Sequence, residues 1–520
     1  MGLLSKLWHQ WQHKKGQEAV VVQEVFQSVP HYINHQRLAS GSGLVAEVFN
    51  PATGVAEKEV GLANSEEVQL AVQAAKSALG PWAKTTPAHR ARVLFKYKEL
   101  LEGNRQELAA AVAAEQGKLL SDALGEVDRG IEVVAFACGA PYLLSGDYAH
   151  EVSHEVDSYH FRSPVGVVVG ITPFNFPAMI PLWMAPLAIV CGNTFVLKPS
   201  EQTPSAALLL ADLFQQAGLP AGVFNVLQGD QLAVDALIAH PDVAAVSFIG
   251  STAVAEKVYA AAAQHHKRVQ ALGSAKNHIV VMPDAPLDEA VDALVGAAFG
   301  AAGERCMSAA VAVVVGDVAP ELMAKLKAKV ASVRTGAQHE AGVHYGPLIS
   351  QVHLDRLRDS VSVGVAEGAE LLIDGRDVVV EGHEQGYFMG PCLFDFVTPN
   401  MKIYQQELFG PVLCVVRVPH LEAALDLINQ CAFANGGSIF TQSGRVARAF
   451  VAQVEVGMVG VNVPVPMPMA YHSFGGWKNS LFGDLAVYGQ DGIRFYTRSK
   501  NVTTRWHDVV SESAFDLPSR

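Results

Sequence analysis

Residues 166–201 read GVVVGITPFNFPAMIPLWMAPLAIVCGNTFVLKPSE. The opening GVVVGI is a continuous β-branched run, the pattern of a strand buried on both faces; a half-exposed strand would alternate. Residues 178–191 follow as an apolar helical stretch, and TFVLKPS reads as the next strand with its exit loop. Further along, 204–217 return to helical spacing, FNVLQGD (224–230) is strand-like, and AAVSFIGS (244–251) repeats the cycle. Such alternation predicts an α/β fold with a parallel, doubly wound sheet. Ligands of these sheets sit beyond the carboxyl ends of the strands, where TPFNFP, KPSE and GST fall.

A second alternating region begins near residue 279 with HIVVMPD and continues through DEAVDALVGAAFGAA, AAVAVVVG and PELMAKLKAKVASV. Cys306 lies on the loop between its helix and the next strand. Residues 144–163 and 485–507 fit neither unit, are mixed polar and apolar, and read as strands. They are expected either to pair into a small sheet used for oligomer contacts or to cover the edges of the main sheets.

Composition narrows the function classes. The 520 residues are 50% hydrophobic, enough for more than one domain. With 38 basic against 51 acidic residues the net charge is −13, and no long basic run follows the first twenty residues. Nucleic acid is therefore not an expected partner, since phosphate binding needs clustered Lys and Arg. The cysteines Cys138, Cys191, Cys306, Cys392, Cys414 and Cys431 show no CxxC pair and no zinc spacing, so no metal site is expected. They suit a reducing compartment, most as small buried hydrophobes.

No apolar run is long enough to span a bilayer. The start, MGLLSKLWHQWQHKKG, would place Leu3, Leu4, Leu7, Trp8 and Trp11 on one helical face, with Lys6, His13, Lys14 and Lys15 elsewhere. This suits a membrane-surface helix or a transit-like leader; a frayed appendage is the alternative. A cytoplasmic location is expected, with mitochondrial matrix or membrane-surface association as alternatives raised by this extension.

Four constellations carry chemistry. Gly250, Ser251 and Thr252 stand at a strand end opening a helix, where small residues admit a pyrophosphate, although ordinary strand-to-helix turns use the same residues. Lys198 and Glu201 sit just past a strand end: a cation and carboxylate able to hold ribose hydroxyls, or a solvated turn. Asn175, between two aromatics in TPFNFP, is an amide that must be satisfied, by a substrate oxyanion or by backbone. Cys306 offers a thiolate nucleophile with Arg305 directly before it. A thiol attacking an aldehyde forms a thiohemiacetal, for whose oxyanion Asn175 and the Cys306 N–H are the candidate donors.

In order along residues 31–507, FNPATG, TPFNFP, LKPSEQTPS, GVFNVLQGD, FIGST, the cysteine loop, YGPLIS, ELFGPV and SFGGWKNS resemble the aldehyde dehydrogenase superfamily. Within it, PFNFPAMIPLW, KRVQ followed by AKNH, VMPDA and VGAAFGAAGERCM are most similar to the CoA-acylating methylmalonate- and malonate-semialdehyde dehydrogenases. The resemblance implies a Rossmann-type NAD-binding domain (31–143 and 164–275), a catalytic domain (276–484), bridging strands for oligomerisation (144–163 and 485–507), an extension (1–30) and a tail (508–520). It implies Cys306 as the acyl-forming nucleophile and Asn175 as the oxyanion amide. Thr172, Phe174, Lys198, Glu201, Gly250, Ser251, Glu407 and Phe409 match cofactor positions. Phe176, Trp183 and Phe474 match aromatic walls of the substrate tunnel, and Arg129 and Arg305 match arginines for a distal carboxylate, which guanidinium binds in a fork.

The departures are informative. Where most members carry a glutamate that activates water, alignment of AKNH puts Leu272, which cannot accept a proton. The semialdehyde group also lacks that glutamate, usually with Asn in its place. Gln202 and Ala255 replace an arginine and a glycine. Together these imply NAD-dependent oxidation of methylmalonate or malonate semialdehyde to propionyl-CoA or acetyl-CoA with loss of CO2, CoA being co-substrate, in a homo-oligomer (dimer or tetramer). The alternatives are a hydrolytic enzyme using Glu304 or Glu407 as base, and a catalytically quiet paralogue.

Overall fold

The computed structural model describes residues 27–506, so the leader through Trp11 and the tail 508–520 lie outside the described residues. Two large sheets carry the architecture. The first has eight strands, ordered Leu481–Phe482, Arg268–Leu272, Val243–Ile249, Val167–Ile171, Thr194–Lys198, Phe224–Val226, His31–Ile33 and Gln36–Leu38. Its five central strands are parallel. The chain lays down Val167–Ile171, winds outward to Phe224–Val226, then returns to Val243–Ile249 on the other side of its starting strand. That reversal leaves a crevice between the carboxyl ends at Ile171 and Ile249, the switch point where doubly wound sheets take their ligands.

The decisive stretch folds as its pattern predicts. Val167–Ile171 is buried throughout, and the helix Met179–Val190 is buried at all twelve positions. It lies sandwiched between the sheet and the helix Leu120–Cys138, so it has no polar face to present. Gly170 is required here, because a Cβ would fall 2.3 Å from the Phe195 ring on the neighbouring strand.

The second sheet has seven strands in the order Glu370–Ile373, Cys392–Asp395, Val412–Val418, Ala309–Val315, Asn277–Val281, Gly436–Phe440 and Met458–Val461. All pairings are parallel except that of the edge strand Glu370–Ile373. The chain crosses between sheets in the few residues from Leu272 to Asn277, which sets the loop Gly273–Lys276 at the junction.

Tyr148–Ser153, Val156–Pro164 and Thr497–Arg505 form a separate antiparallel sheet, joining the two segments that fit neither α/β unit. Two details differ from the sequence reading. Within 485–507, Gly489–Phe495 is a helix rather than a strand; it packs against Met179–Val190 and buries Ile493 and Phe495, which outweighs its local mixture of residue types. Leu481–Phe482, assigned by sequence to 276–484, returns to the first sheet as an antiparallel edge strand beside Leu272. Among the described residues, no helix is long and apolar enough to cross a membrane.

Candidate active site

The cysteine loop is shaped by its small residues. The helix Leu287–Phe299 ends, and Ala301, Ala302 and Gly303 follow with φ of 50°, 55° and 72°. Three successive left-handed residues turn the chain sharply, and the two alanines store strain of the kind found at functional sites. Gly303 cannot be replaced, since a Cβ would lie 2.2 Å from the Gly410 carbonyl. The loop is then pinned by two amides: Asn277 Nδ2 donates to the Cys306 carbonyl at 2.9 Å, and Asn435 Nδ2 donates to it at 3.2 Å.

Cys306 is half-buried while the other five cysteines are fully buried, so it is the only accessible thiol among the described residues. Its Sγ accepts from the N–H groups of Cys306 and Met307. Burial nevertheless pushes the thiol up to about 12; the Glu407 carboxylate acts in the same direction and Arg305 opposes it.

Cys306 opens into a cavity of about 300 Å³ shared with Phe174, Asn175, Gly250, Ser251, Ser274, His353, Arg356, Glu407 and Phe409. Asn175 is buried; its Nδ2 donates to the Glu304 carbonyl at 3.0 Å, which uses one of its two N–H groups and leaves the second for the cavity. Phe174 and Phe409 meet edge to face at 6.0 Å, and Phe409 itself is held at φ 59°. Glu407 accepts from the Ala275 N–H at 2.8 Å, and burial raises its carboxyl above the usual range.

Phe174, Gly250 and Ser251 also wall a groove of about 540 Å³ along the carboxyl edge of the first sheet, with Thr172, Lys198, Glu201 and Gln202. Lys198 Nζ donates to Glu201 Oε2 at 3.2 Å, and Thr172 Oγ1 is buried without a hydrogen-bond partner among the described residues. All eight residues assigned to a cofactor by resemblance therefore line this groove, the thiol cavity or both.

The substrate-side residues are placed differently. Trp183 and Phe474 pack at 4.8 Å, joined by Tyr488 at 5.1 Å from Trp183, and Phe176 lies under Lys118 Nζ at 4.3 Å. The two arginines do not converge on the thiol cavity. Arg305 Nη2 donates to Asp122 Oδ1 at 2.6 Å, with its guanidinium against Gly300, while Arg129 Nη1 donates to Glu132 at 2.9 Å and reaches Met469 Sδ at 3.9 Å. Asp122 and Arg129 share one face of the helix Leu120–Cys138, seven residues and so about 10 Å apart.

Two further sequence readings acquire geometry. Leu272 is buried in the first core, lines neither cavity, and its carbonyl accepts from Gly250 N–H at 3.1 Å. The Glu304 carboxylate is bound elsewhere, accepting from Gln116 Nε2 at 2.8 Å and Ile349 N–H at 3.1 Å; burial raises it to about 8. Glu407 is thus the one carboxylate lining the thiol cavity among the described residues.

Sequence reasoning missed Asn277, Asn435, His353 and Arg356. Asn277 sits in the AKNH stretch used for alignment, but nothing local signals that its amide grips the cysteine loop. His353 and Arg356 arrive on the helix Gln351–Ala366 of the second unit.

The aldehyde dehydrogenase family model matches residues 39–502. A malonate-semialdehyde dehydrogenase of Pseudomonas aeruginosa is 54% identical over 94% of this chain and 99% of its own length. One from Halalkalibacterium halodurans is 51% identical over 92% and 99%. The crystal structure of a protein described as a methylmalonate-semialdehyde dehydrogenase from Sinorhizobium meliloti, complexed with NAD, superposes with a TM-score of 0.92 at 48% identity, covering 94% of this chain and 100% of that one. The chain belongs to the aldehyde dehydrogenase family.

Proposed function

We propose that the protein oxidises malonate semialdehyde or methylmalonate semialdehyde with NAD, passing the acyl group through a Cys306 thioester to CoA with loss of CO2. The observation that carries this reading is the make-up of the thiol cavity. Cys306 and Asn175, which spends one N–H on the Glu304 carbonyl, line the same cavity, and the one carboxylate present, Glu407, is tied to Ala275. The position of the family's water-activating base holds Leu272, buried in the core. A thioester formed here meets no base poised to activate water, so it persists until a thiol such as that of CoA attacks it. The relatives' names agree in substrate class.

NAD fits the groove on this chain's own residues. Lys198 and Glu201 offer a cation and carboxylate to ribose hydroxyls, the carboxylate disfavouring a 2′-phosphate, and Thr172, whose buried Oγ1 has no partner among the described residues, lines the same groove. NAD bound there would take up the hydride released from the substrate carbon. The rest is the work of the protein. Cys306 loses its proton to solvent, Sγ adds as the thiolate to the aldehyde carbon, and the Asn175 amide and Cys306 N–H hold the oxyanion. Collapse of that oxyanion expels the hydride and leaves the thioester, whose carbonyl stabilises the enolate formed when a β-carboxylate departs as CO2; a proton taken from solvent at the α-carbon completes the acyl group. A methyl group is worth about 1–3 kcal/mol in an apolar pocket, so both semialdehydes are accepted. Arg129 and Arg305 serve the distal carboxylate, in exchange with Glu132 and Asp122, their partners here.

On this reading the first sheet's unit binds NAD, the second's carries the thiol, and the antiparallel sheet, with Tyr148, Tyr159 and Phe161 exposed, mediates self-association in the cytoplasm. The deciding experiment measures NADH formation from each semialdehyde with and without CoA, on native protein and on Arg129→Ala. Turnover that needs CoA, and a fall in kcat/KM for carboxylated substrates in the variant, are expected. Equal rates without CoA would sink the acylating reading, and full kcat/KM in the variant would sink the carboxylate assignment.

A further inference from the structure

We propose that Lys118 and Gln116 form a buried positioning bridge that fixes the Asn175 amide relative to Cys306. The proposal deepens the reading of Asn175 as oxyanion donor and rests on it. The bridge starts at the turn Gln116–Lys118, between the helices Arg105–Gln116 and Leu120–Cys138. Gly117 takes φ 86°, and a Cβ there would fall 2.8 Å from Pro347 Cγ, so the turn is wedged against the loop that precedes the helix Gln351–Ala366.

From this turn two arms reach the two reacting elements. Lys118 Nζ donates to the Asn175 backbone carbonyl at 2.6 Å and to Glu126 Oε2 at 2.7 Å. Glu126 Oε1 in turn accepts from the N–H groups of Ala178 at 2.9 Å and Met179 at 3.1 Å, so the pair holds the TPFNFP loop at Asn175 and just past its C-terminal end. In the other arm Gln116 Oε1 accepts from Lys118 N–H at 3.0 Å, while its Nε2 donates to Glu304 Oε2 at 2.8 Å. The Glu304 carbonyl receives Asn175 Nδ2 at 3.0 Å, and Cys306 lies two residues on. The hydrogen bonds close a ring: Asn175, Lys118, Gln116, Glu304 and back to Asn175.

Fold stability alone does not account for this arrangement. Lys118 and Glu126 are each 2% exposed, and a buried ion pair is commonly no better for stability than apolar residues of the same volume. What the ring does supply is register. Both ends of the Asn175 side chain's mount are fixed, so its free N–H is aimed from a rigid base at the oxygen that becomes charged. Displacement of about 1 Å at such a donor can cost about 100-fold in rate.

The test compares native protein, Lys118→Met, Lys118→Met/Glu126→Gln, Asn175→Ala and Lys118→Met/Asn175→Ala, each on a carboxylated semialdehyde and on propanal. Lys118→Met is expected to lower kcat about 30-fold, with KM changed less than about threefold. Alkylation of Cys306 by iodoacetamide, which develops no oxyanion, should stay within about twofold of native. The Glu126→Gln partner removes the unpaired buried charge and keeps both loop contacts, so that double variant should regain the native melting temperature but not kcat. In the Asn175→Ala background, Lys118→Met should cost less than about threefold, because the residue through which it acts is gone. Recovery of native kcat by Lys118→Met/Glu126→Gln, or fully multiplicative losses with Asn175→Ala, would overturn the bridge. If native protein oxidises propanal but ignores the semialdehyde, the substrate reading fails alone and the propanal comparison still decides the bridge.

Discussion

The groove and the thiol cavity adjoin, sharing Phe174, Gly250 and Ser251, yet they are built in opposite ways. The groove is a property of one sheet. One wall is made of the first residues past successive parallel strands, with Thr172, Lys198 and Glu201 within three residues of a strand end, and the other of the helices Gln231–Ala239 and Thr252–Gln264 that cover the same sheet. The thiol cavity belongs to no single element: Asn175 comes from the first unit, Cys306 and Glu407 from the second, and Ser274 from the crossing between sheets. A site made by strand order tolerates change at one side chain, whereas a site assembled from loops depends on the contacts that hold those loops in place.

Cys306→Ala is the hardest test of that division. It should lower aldehyde-dependent NADH formation by at least about 10⁴-fold, since without the thiol no covalent intermediate forms. NAD affinity, followed by protein fluorescence, should be unchanged, and a weakened affinity would show that the two regions are not separable. Asn175→Ala comes next, with kcat expected to fall about 10²- to 10³-fold, the usual effect of losing one oxyanion donor, again with NAD affinity retained. A loss confined to KM would mean that the amide only binds substrate.

Legibility in the sequence follows the same division. The doubly wound sheet could be read because GVVVGI and TFVLKPS announce buried parallel strands, and the groove residues could be read because they sit beside those strands. Cys306 and Asn175 stood out as residue types in unlikely surroundings. The contacts that orient them did not, because Arg305 meets Asp122 from 183 positions away and Glu304 meets Gln116 from 188. No periodicity encodes such pairings. Gly489–Phe495 escaped for another reason: seven residues with two glycines give too little helical pattern, and burial of Ile493 and Phe495 supplies the stability instead.

Glu201→Gln probes the groove alone. Removing the carboxylate beside Lys198 should narrow the preference for NAD over NADP by about tenfold, read as the ratio of kcat/KM values, because a 2′-phosphate no longer meets a like charge. The same variant should alkylate at Cys306 at the native rate. A changed alkylation rate would mean that groove and cavity are electrostatically coupled through the shared wall.

The smallest expected effect concerns His353, which lines the thiol cavity and donates from Nε2 to the Phe409 carbonyl at 2.7 Å. Burial holds its imidazole down at about 4, aided by the Arg356 guanidinium, against an ordinary value of 6.5. The folded protein therefore binds fewer protons than the unfolded chain between those values. This contribution is fully present above pH 6.5 and is lost as pH falls toward 4. At pH 5.5 the loss amounts to about 1 kcal/mol, measurable as a shift of the urea midpoint relative to pH 8. His278, pushed down to about 3, adds a dependence of the same sign, so the comparison must be between native protein and His353→Gln, whose amide can still donate to Phe409. The variant should lose about that part of the pH dependence and keep the rest. An unchanged pH dependence would mean that His353 is solvated enough to titrate normally, and that the loop carrying Phe409 is held by its backbone rather than by this ring.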